Sequence, residues 1–135
     1  MNKDMQSFLL LGVLATYCLP VWAKKQNITV KGVTMCDNMP MQNVHVELYE
    51  HDILDPNDLL SETHTNSSGE FNVFGEEDEM GTIEPFVRLT HDCKVSKPGC
   101  QRIGNYIVPK DKIDGVYDMS SVALDVVVHG EKEKC

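Results

Sequence analysis

The stretch VHVELYEHDILDPNDLLSETHTNSSGEFNVFG, residues 44–75, alternates apolar and polar side chains at period two and then turns on Asp, Pro, Asn and Gly. Successive side chains of a strand point to opposite faces, so Val44, Val46 and Leu48 face one way while His45, Glu47, Tyr49 and His51 face the other. Asp52 to Asp58 holds three aspartates, a proline and an asparagine and reads as a loop. Leu59 to Thr65 returns as the next strand, and Ser67-Ser68-Gly69 turns the chain into Phe71 to Phe74. The pattern is that of an antiparallel meander with one wet face.

The same reading extends outward. Ile28 to Met35 forms an earlier strand whose apolar parity slips at Gly32, with Ile28 and Val30 in one phase and Val33 and Met35 in the other, as a bulge at the glycine would produce. Cys36 to Met41 is a turn. Downstream, Glu76-Glu77-Asp78-Glu79 reads as an acidic loop, followed by strands over Ile83 to His91, Ile103 to Pro109 and Val122 to His129. Seven strands without an amphipathic helix predict an all-β, two-sheet antiparallel sandwich; an open barrel shares the pattern.

Residues 1–23 begin with Lys3, run apolar from Phe8 to Leu19 and end Val21-Trp22-Ala23, the plan of a secretion signal cleaved after Ala23. That run is shorter than the roughly 18 apolar residues a membrane-spanning helix needs. Residues 24–135 then form one β-sandwich domain, exported and extracellular or held peripherally at a cell surface. The net charge is −9, and it survives cleavage because Lys3 and Asp4 leave together. Such a balance opposes general nucleic-acid binding, which works by neutralising phosphates. Between residues 88 and 112, however, six basic residues face two acidic ones. Within that band Lys94, Lys97, Arg102, Lys110 and Lys112 are candidates for contacting lipid phosphates or acidic glycans.

Cys18 falls within the signal, leaving Cys36, Cys93, Cys100 and Cys135. An even number in an exported chain implies disulfides. Three connectivities are open. The short Cys93–Cys100 segment with Lys97-Pro98-Gly99 favours joining those two, which leaves Cys36 with Cys135. A zinc site at His91-x-Cys93 with Cys100 lacks the usual ligand spacing. Asn27-Ile28-Thr29 and Asn66-Ser67-Ser68 match the N-glycosylation pattern, the first read as preceding the opening strand and the second as lying in a turn.

Nine ordered landmarks resemble the nematode transthyretin-like proteins across nearly the whole exported portion. They are Gly32 with Cys36 and Pro40; Val44-x-Val46-x-Leu48-Tyr49-Glu50 with Asp52; Pro56-x-Asp58-Leu59-Leu60; Thr65 with Gly69-x-Phe71; Gly75-x-x-x-Glu79; Ile83-x-Pro85; His91-x-Cys93; Cys100-x-Arg102; and Ile107-x-Pro109. The resemblance implies a disulfide-stabilised sandwich of seven or eight strands, of the immunoglobulin-like prealbumin type, acting outside cells without catalysis. It also implies, for some members, recognition of phosphatidylserine and bridging of dying cells to an engulfment receptor.

Two other activities of related folds are weighed on residues. The hydroxyisourate hydrolases use a histidine–arginine–histidine site and a Tyr-Arg-Gly-Ser tail. Here the first strand holds no histidine and the chain reads Glu131-Lys132-Glu133-Lys134-Cys135, so no catalytic residue is carried over. A carrier of a small apolar ligand needs an oligomeric channel whose walls and assembly the sequence does not disclose. Pairing residue 51 with 60 places Glu47 opposite His64, so that His45, Glu47 and His64 share an outward face with metal-capable side chains; a solvated polar face is the ordinary reading. Asp52, Asp55 and Asp58, and Glu76 to Glu79, do not follow a calcium-loop spacing. No cofactor, metal ligand or catalytic residue is assigned. The expected partners are an extracellular protein or an anionic lipid or glycan.

Overall fold

The computed structural model describes residues 24–135; residues 1–23, read above as a secretion signal and containing Cys18, lie outside the described residues. The chain forms strands β1 (Lys24–Cys36), β2 (Met39–Pro40), β3 (His45–Glu50), β4 (Asp58–His64), β5 (Glu70–Glu79), β6 (Pro85–His91), β7 (Gln101–Ile107), β8 (Val116–Ala123) and β9 (Lys132–Lys134), with a short 3₁₀ turn over Lys110–Lys112. They build two sheets: β2-β1-β5 with β8 joined to β1, and β4-β3-β6-β7-β9. Every pairing is antiparallel except β1 with β8, which is parallel. A parallel partner needs a crossover; here the chain passes through the second sheet and returns from β7 by way of the 3₁₀ turn.

The layers close on Ile28, Val30, Val46, Leu48, Val73, Ile83, Val87, Leu89 and Leu124, all at most 2 % exposed. Burying such side chains contributes roughly 1.5–3 kcal/mol each against chain entropy. Among the described residues no helix is long and apolar enough to cross a membrane.

The alternation of β3 is as expected, but four details of the sequence reading are corrected. First, β1 has no bulge at Gly32: its ladder to β5 runs unbroken from Lys24 to Val33. The inward positions after Val30 are Gly32 and Thr34, so the parity slip was an artefact of following apolar residues alone. Phe71 packs where a Gly32 side chain would stand, with its ring carbons 3.0 Å from the position of a Cβ. Thr34, fully buried, donates its hydroxyl to Met41 O at 2.8 Å and approaches Gly69 O at 3.2 Å. The extra residue lies instead on β8, where the register against β1 shifts opposite Gly32.

Second, Glu76 to Glu79 is not a loop. These residues end β5, paired with Asn27 to Lys24, and Lys25 Nζ approaches Glu76 Oε2 at 3.4 Å. Lys24 and Lys25 across the ladder offset the acidic charge of this strand end. Third, the final apolar run is not one strand. Val122 and Leu124 are buried, but the chain turns after Ala123, leaving Val126 and Val127 58 % and 73 % exposed. The chain must leave β1 there to place Lys132–Lys134 beside β7 in the other sheet.

Fourth, the disulfides are Cys36–Cys93 and Cys100–Cys135, not Cys93–Cys100 and Cys36–Cys135. Cys93 points into the core and reaches the opposite sheet. Cys100 continues the β7–β9 ladder one step beyond Gln101↔Lys134, which brings it opposite Cys135. Strand direction thus overrides sequence proximity. With sequence separations of 57 and 35 between partners, each bridge removes about 4 kcal/mol of unfolded-chain entropy on the loop-closure account.

Candidate functional site

The basic band does not form one surface. Arg102 points inward from β7 and is 5 % exposed. Its Nε donates to Glu131 Oε1 at 2.5 Å, and its Nη1 donates to the carbonyls of Cys93 and Leu124 at 2.6 and 2.8 Å. Arg102 is therefore a structural cation, and its candidacy as an anion ligand is withdrawn. Its fork joins the end of β6 to the segment after β8, the multidentate geometry that a guanidinium suits. Lys94 pairs with Asp37 at 3.0 Å, and Lys110 approaches Glu84 at 3.6 Å. Lys94 and Lys97 flank the β6–β7 turn, whereas Lys110 and Lys112 lie past the other end of β7, roughly 20 Å along the strand.

The two sequons differ. Asn27 lies within β1, half-buried, rather than before it. Its backbone N–H donates to Asp114 Oδ1 at 3.0 Å. Asn66 is exposed in the β4–β5 turn, where its Oδ1 accepts from Ser68 N and Glu70 N at 3.0 and 2.9 Å, leaving the amide nitrogen free of those contacts.

The outward face of the five-stranded sheet gathers the chemistry instead. Register places Leu59, Tyr49, Phe86 and Ile107 in one cross-strand row; Glu62, Glu47, Arg88 and Asn105 in the next; and His64, His45, Thr90 and Ile103 in the third. The first row is apolar, with Ile107 82 % and Leu59 47 % exposed. Tyr49 stacks on Phe86 at 5.3 Å between centroids, and the Arg88 guanidinium lies over the Tyr49 ring at 4.8 Å. Arg88 Nε donates to Asn105 Oδ1 at 3.0 Å. A cleft of about 590 Å³ adjoins this row, lined by His51, Asn57, Phe86, Ile107, Lys110 and His129 among others. Its volume falls in the range of small-ligand sites.

In the second and third rows the observed register differs from the expected one. His45, not Glu47, stands opposite His64, and Glu47 faces Glu62. The hairpin closes at Glu50↔Asp58, and Leu60 is left as an unpaired residue of β4. His45 and His64 stack at 4.7 Å with rings 9° apart. His45 Nε2 lies 3.4 Å from Glu62 Oε2, and Nδ1 lies 3.8 Å from Glu47 Oε1. The Tyr49 hydroxyl donates to Glu47 Oε2 at 2.8 Å, a bond that with burial raises the phenol's pKa and keeps it a donor.

The sequence reading missed Glu50, which sits at the far end of β3. It is 3 % exposed and its Oε2 has no hydrogen-bond partner among the described residues. Burial pushes its carboxyl up to about 7, reinforced by Glu79, Asp58 and Glu77. The signal was present, because Glu50 shares the period-two phase of Val46 and Leu48. Neither acidic segment converges on a ligand set. Asp52 Oδ1 instead accepts from Leu54 N and Asp55 N at 3.0 and 3.3 Å, and Glu76 to Glu79 alternate across a strand.

Two layers joined by the Cys36–Cys93 bridge, a second bridge closing the edge of one sheet, and a mixed polar and apolar sheet face turned to solvent define a disulfide-stabilised β-sandwich of the transthyretin type. Residues 31–109 match the Transthyretin-like family. Transthyretin-like protein 16 of Caenorhabditis elegans is 53 % identical over 131 residues, 97 % of this chain and 99 % of that protein. Transthyretin-like protein 2 of the same organism is 31 % identical over 139 residues, 94 % of this chain and 93 % of that protein. The chain belongs to the Transthyretin-like family. Among solved structures, (S)-allantoin synthase superposes with a TM-score of 0.46 at 9 % identity, covering 91 % of this chain and 52 % of that one, a likeness too slight to bear on activity.

Proposed function

We propose that this protein is exported by cleavage after Ala23 and acts outside the cell as a non-enzymatic interaction protein, using the outward face of the five-stranded sheet. The observation that carries the reading is the Leu59–Tyr49–Phe86–Ile107 row with its adjoining cleft: an apolar strip with an 82 % exposed isoleucine, bounded by polar rows. Apolar surface rimmed by polar groups is a common mark of a binding site. The disulfides suit an oxidising compartment, and the exposed Asn66 suits a glycan.

Expression of the full chain in a secreting eukaryotic host tests export. The expected product in the medium begins at Lys24, carries two disulfides and loses mass on deglycosylation. Retention in the cell with free thiols would overturn the reading. The secreted protein applied to lipid and glycan arrays and to extracellular protein libraries then defines the ligand class. Binding sensitive to Ile107→Asp supports the sheet face. Liposome binding that rises with phosphatidylserine and falls with salt, unchanged by Ile107→Asp, would instead assign recognition to the lysines at a sandwich end.

A further inference from the structure

We infer that His45, Glu47 and Glu62 form a binding site for a first-row divalent cation, zinc in the first instance, on the outward face of the five-stranded sheet. One nitrogen of His45 and one oxygen each of Glu47 and Glu62 lie within 4.8 Å of one another. Imidazole and carboxylate are the ordinary nitrogen and oxygen donors of zinc, held at about 2.0–2.2 Å, so small side-chain adjustments bring three such atoms onto one ion. All three ligands stand on paired strands, whose ladder fixes their spacing.

The pairing itself points to a cation. Glu47 and Glu62 are directly opposite each other, and like charges so placed oppose strand pairing. The guanidinium next in the row makes no ion pair with either carboxylate: Arg88 is drawn over the Tyr49 and Phe86 rings and bonds to Asn105. Glu47 also has a preset orientation. Tyr49 holds its Oε2, which leaves Oε1 toward His45, the arrangement in which an outer-shell hydrogen bond aims a ligating carboxylate. His64 flanks the site by stacking on His45, and both imidazoles line a neighbouring cleft of about 560 Å³. A bound ion thus has three protein ligands and a remaining position for water or a partner's side chain.

The test is calorimetric titration of the oxidised protein, with both disulfides formed, with zinc chloride, with calcium and magnesium chlorides in parallel. The expected result is one zinc per chain and no comparable heat from calcium or magnesium, because an imidazole ligand favours zinc over the hard alkaline-earth ions. His45→Ala should weaken zinc at least about 100-fold and Tyr49→Phe about 10-fold, while Asp111→Ala, at an exposed carboxylate of the 3₁₀ turn, leaves it unchanged. Histidine ring signals in NMR should shift for His45 and not for His129, and circular dichroism confirms that each variant is folded. Absence of zinc binding overturns the site. So does binding that His45→Ala leaves intact, or equal affinity for calcium.

Discussion

Two buried charges at opposite ends of the sandwich have opposite fates. Arg102 donates to three carbonyls and to both oxygens of Glu131, whose side chain is itself 5 % exposed. Glu50 has one long contact, from Glu84 N at 3.4 Å, and otherwise faces like charge. Burial alone therefore does not decide whether an ionisable group steadies a fold. What decides is whether the groups around it complete its hydrogen bonds and balance its charge.

Removing the guanidinium should have the largest effect. Arg102→Ala leaves Glu131 buried and uncompensated, and should cost about 3–5 kcal/mol in chemical denaturation. Glu131→Gln on the same background should then cost far less than it does alone. Cys100→Ser with Cys135→Ser should follow at about 2–4 kcal/mol, since the unfolded chain regains a long loop; an intact denaturation midpoint would show that the Arg102 fork holds the β7–β9 end without the bridge.

Glu50→Gln should move stability the other way, by about 2–3 kcal/mol at pH 8. The sign follows from linkage. The native carboxyl holds its proton up to about 7 while the unfolded one releases it near 4.5. The native state is accordingly unpenalised below 4.5, and loses stability as pH rises from 4.5 to 7. His91 acts oppositely: burial and Arg102 lower its pKa, so it costs stability as pH falls below 6.5. The Glu50→Gln difference against wild type, followed by thermal melts from pH 4.5 to 8, isolates the carboxyl. A difference flat across that range would refute this account. The smallest effect belongs to Lys94→Ala, whose exposed pair with Asp37 should be worth under about 1 kcal/mol.

The part of this fold legible in sequence was the part governed by period-two burial. Val44, Val46 and Leu48 face inward as read, and the sandwich follows from such alternation. What stayed hidden depended on partners distant in the chain. Gly32 and Thr34 carry no apolar signal, yet they occupy core positions because Phe71 and the Met41 carbonyl fill and satisfy them. The acidic end of β5 reads as a loop until Lys24 and Lys25 are placed across from it. The sheet-face histidines were found, but Glu62 was not grouped with them, because the unpaired Leu60 shifts the β3–β4 register. Arg102 was read by charge, whereas its inward parity on β7 governs its role.

The borders of the five-stranded sheet bear on how this protein behaves at high concentration. One border, β4, is kinked by Leu60 and presents Asp58, Glu62 and His64; the other, β9, is three residues long and reads Lys132-Glu133-Lys134. Both are unfavourable templates for a further strand, since charge and irregularity discourage intermolecular ladder growth. The molecule can hold an apolar strip open to solvent while its flanks resist amyloid-like stacking.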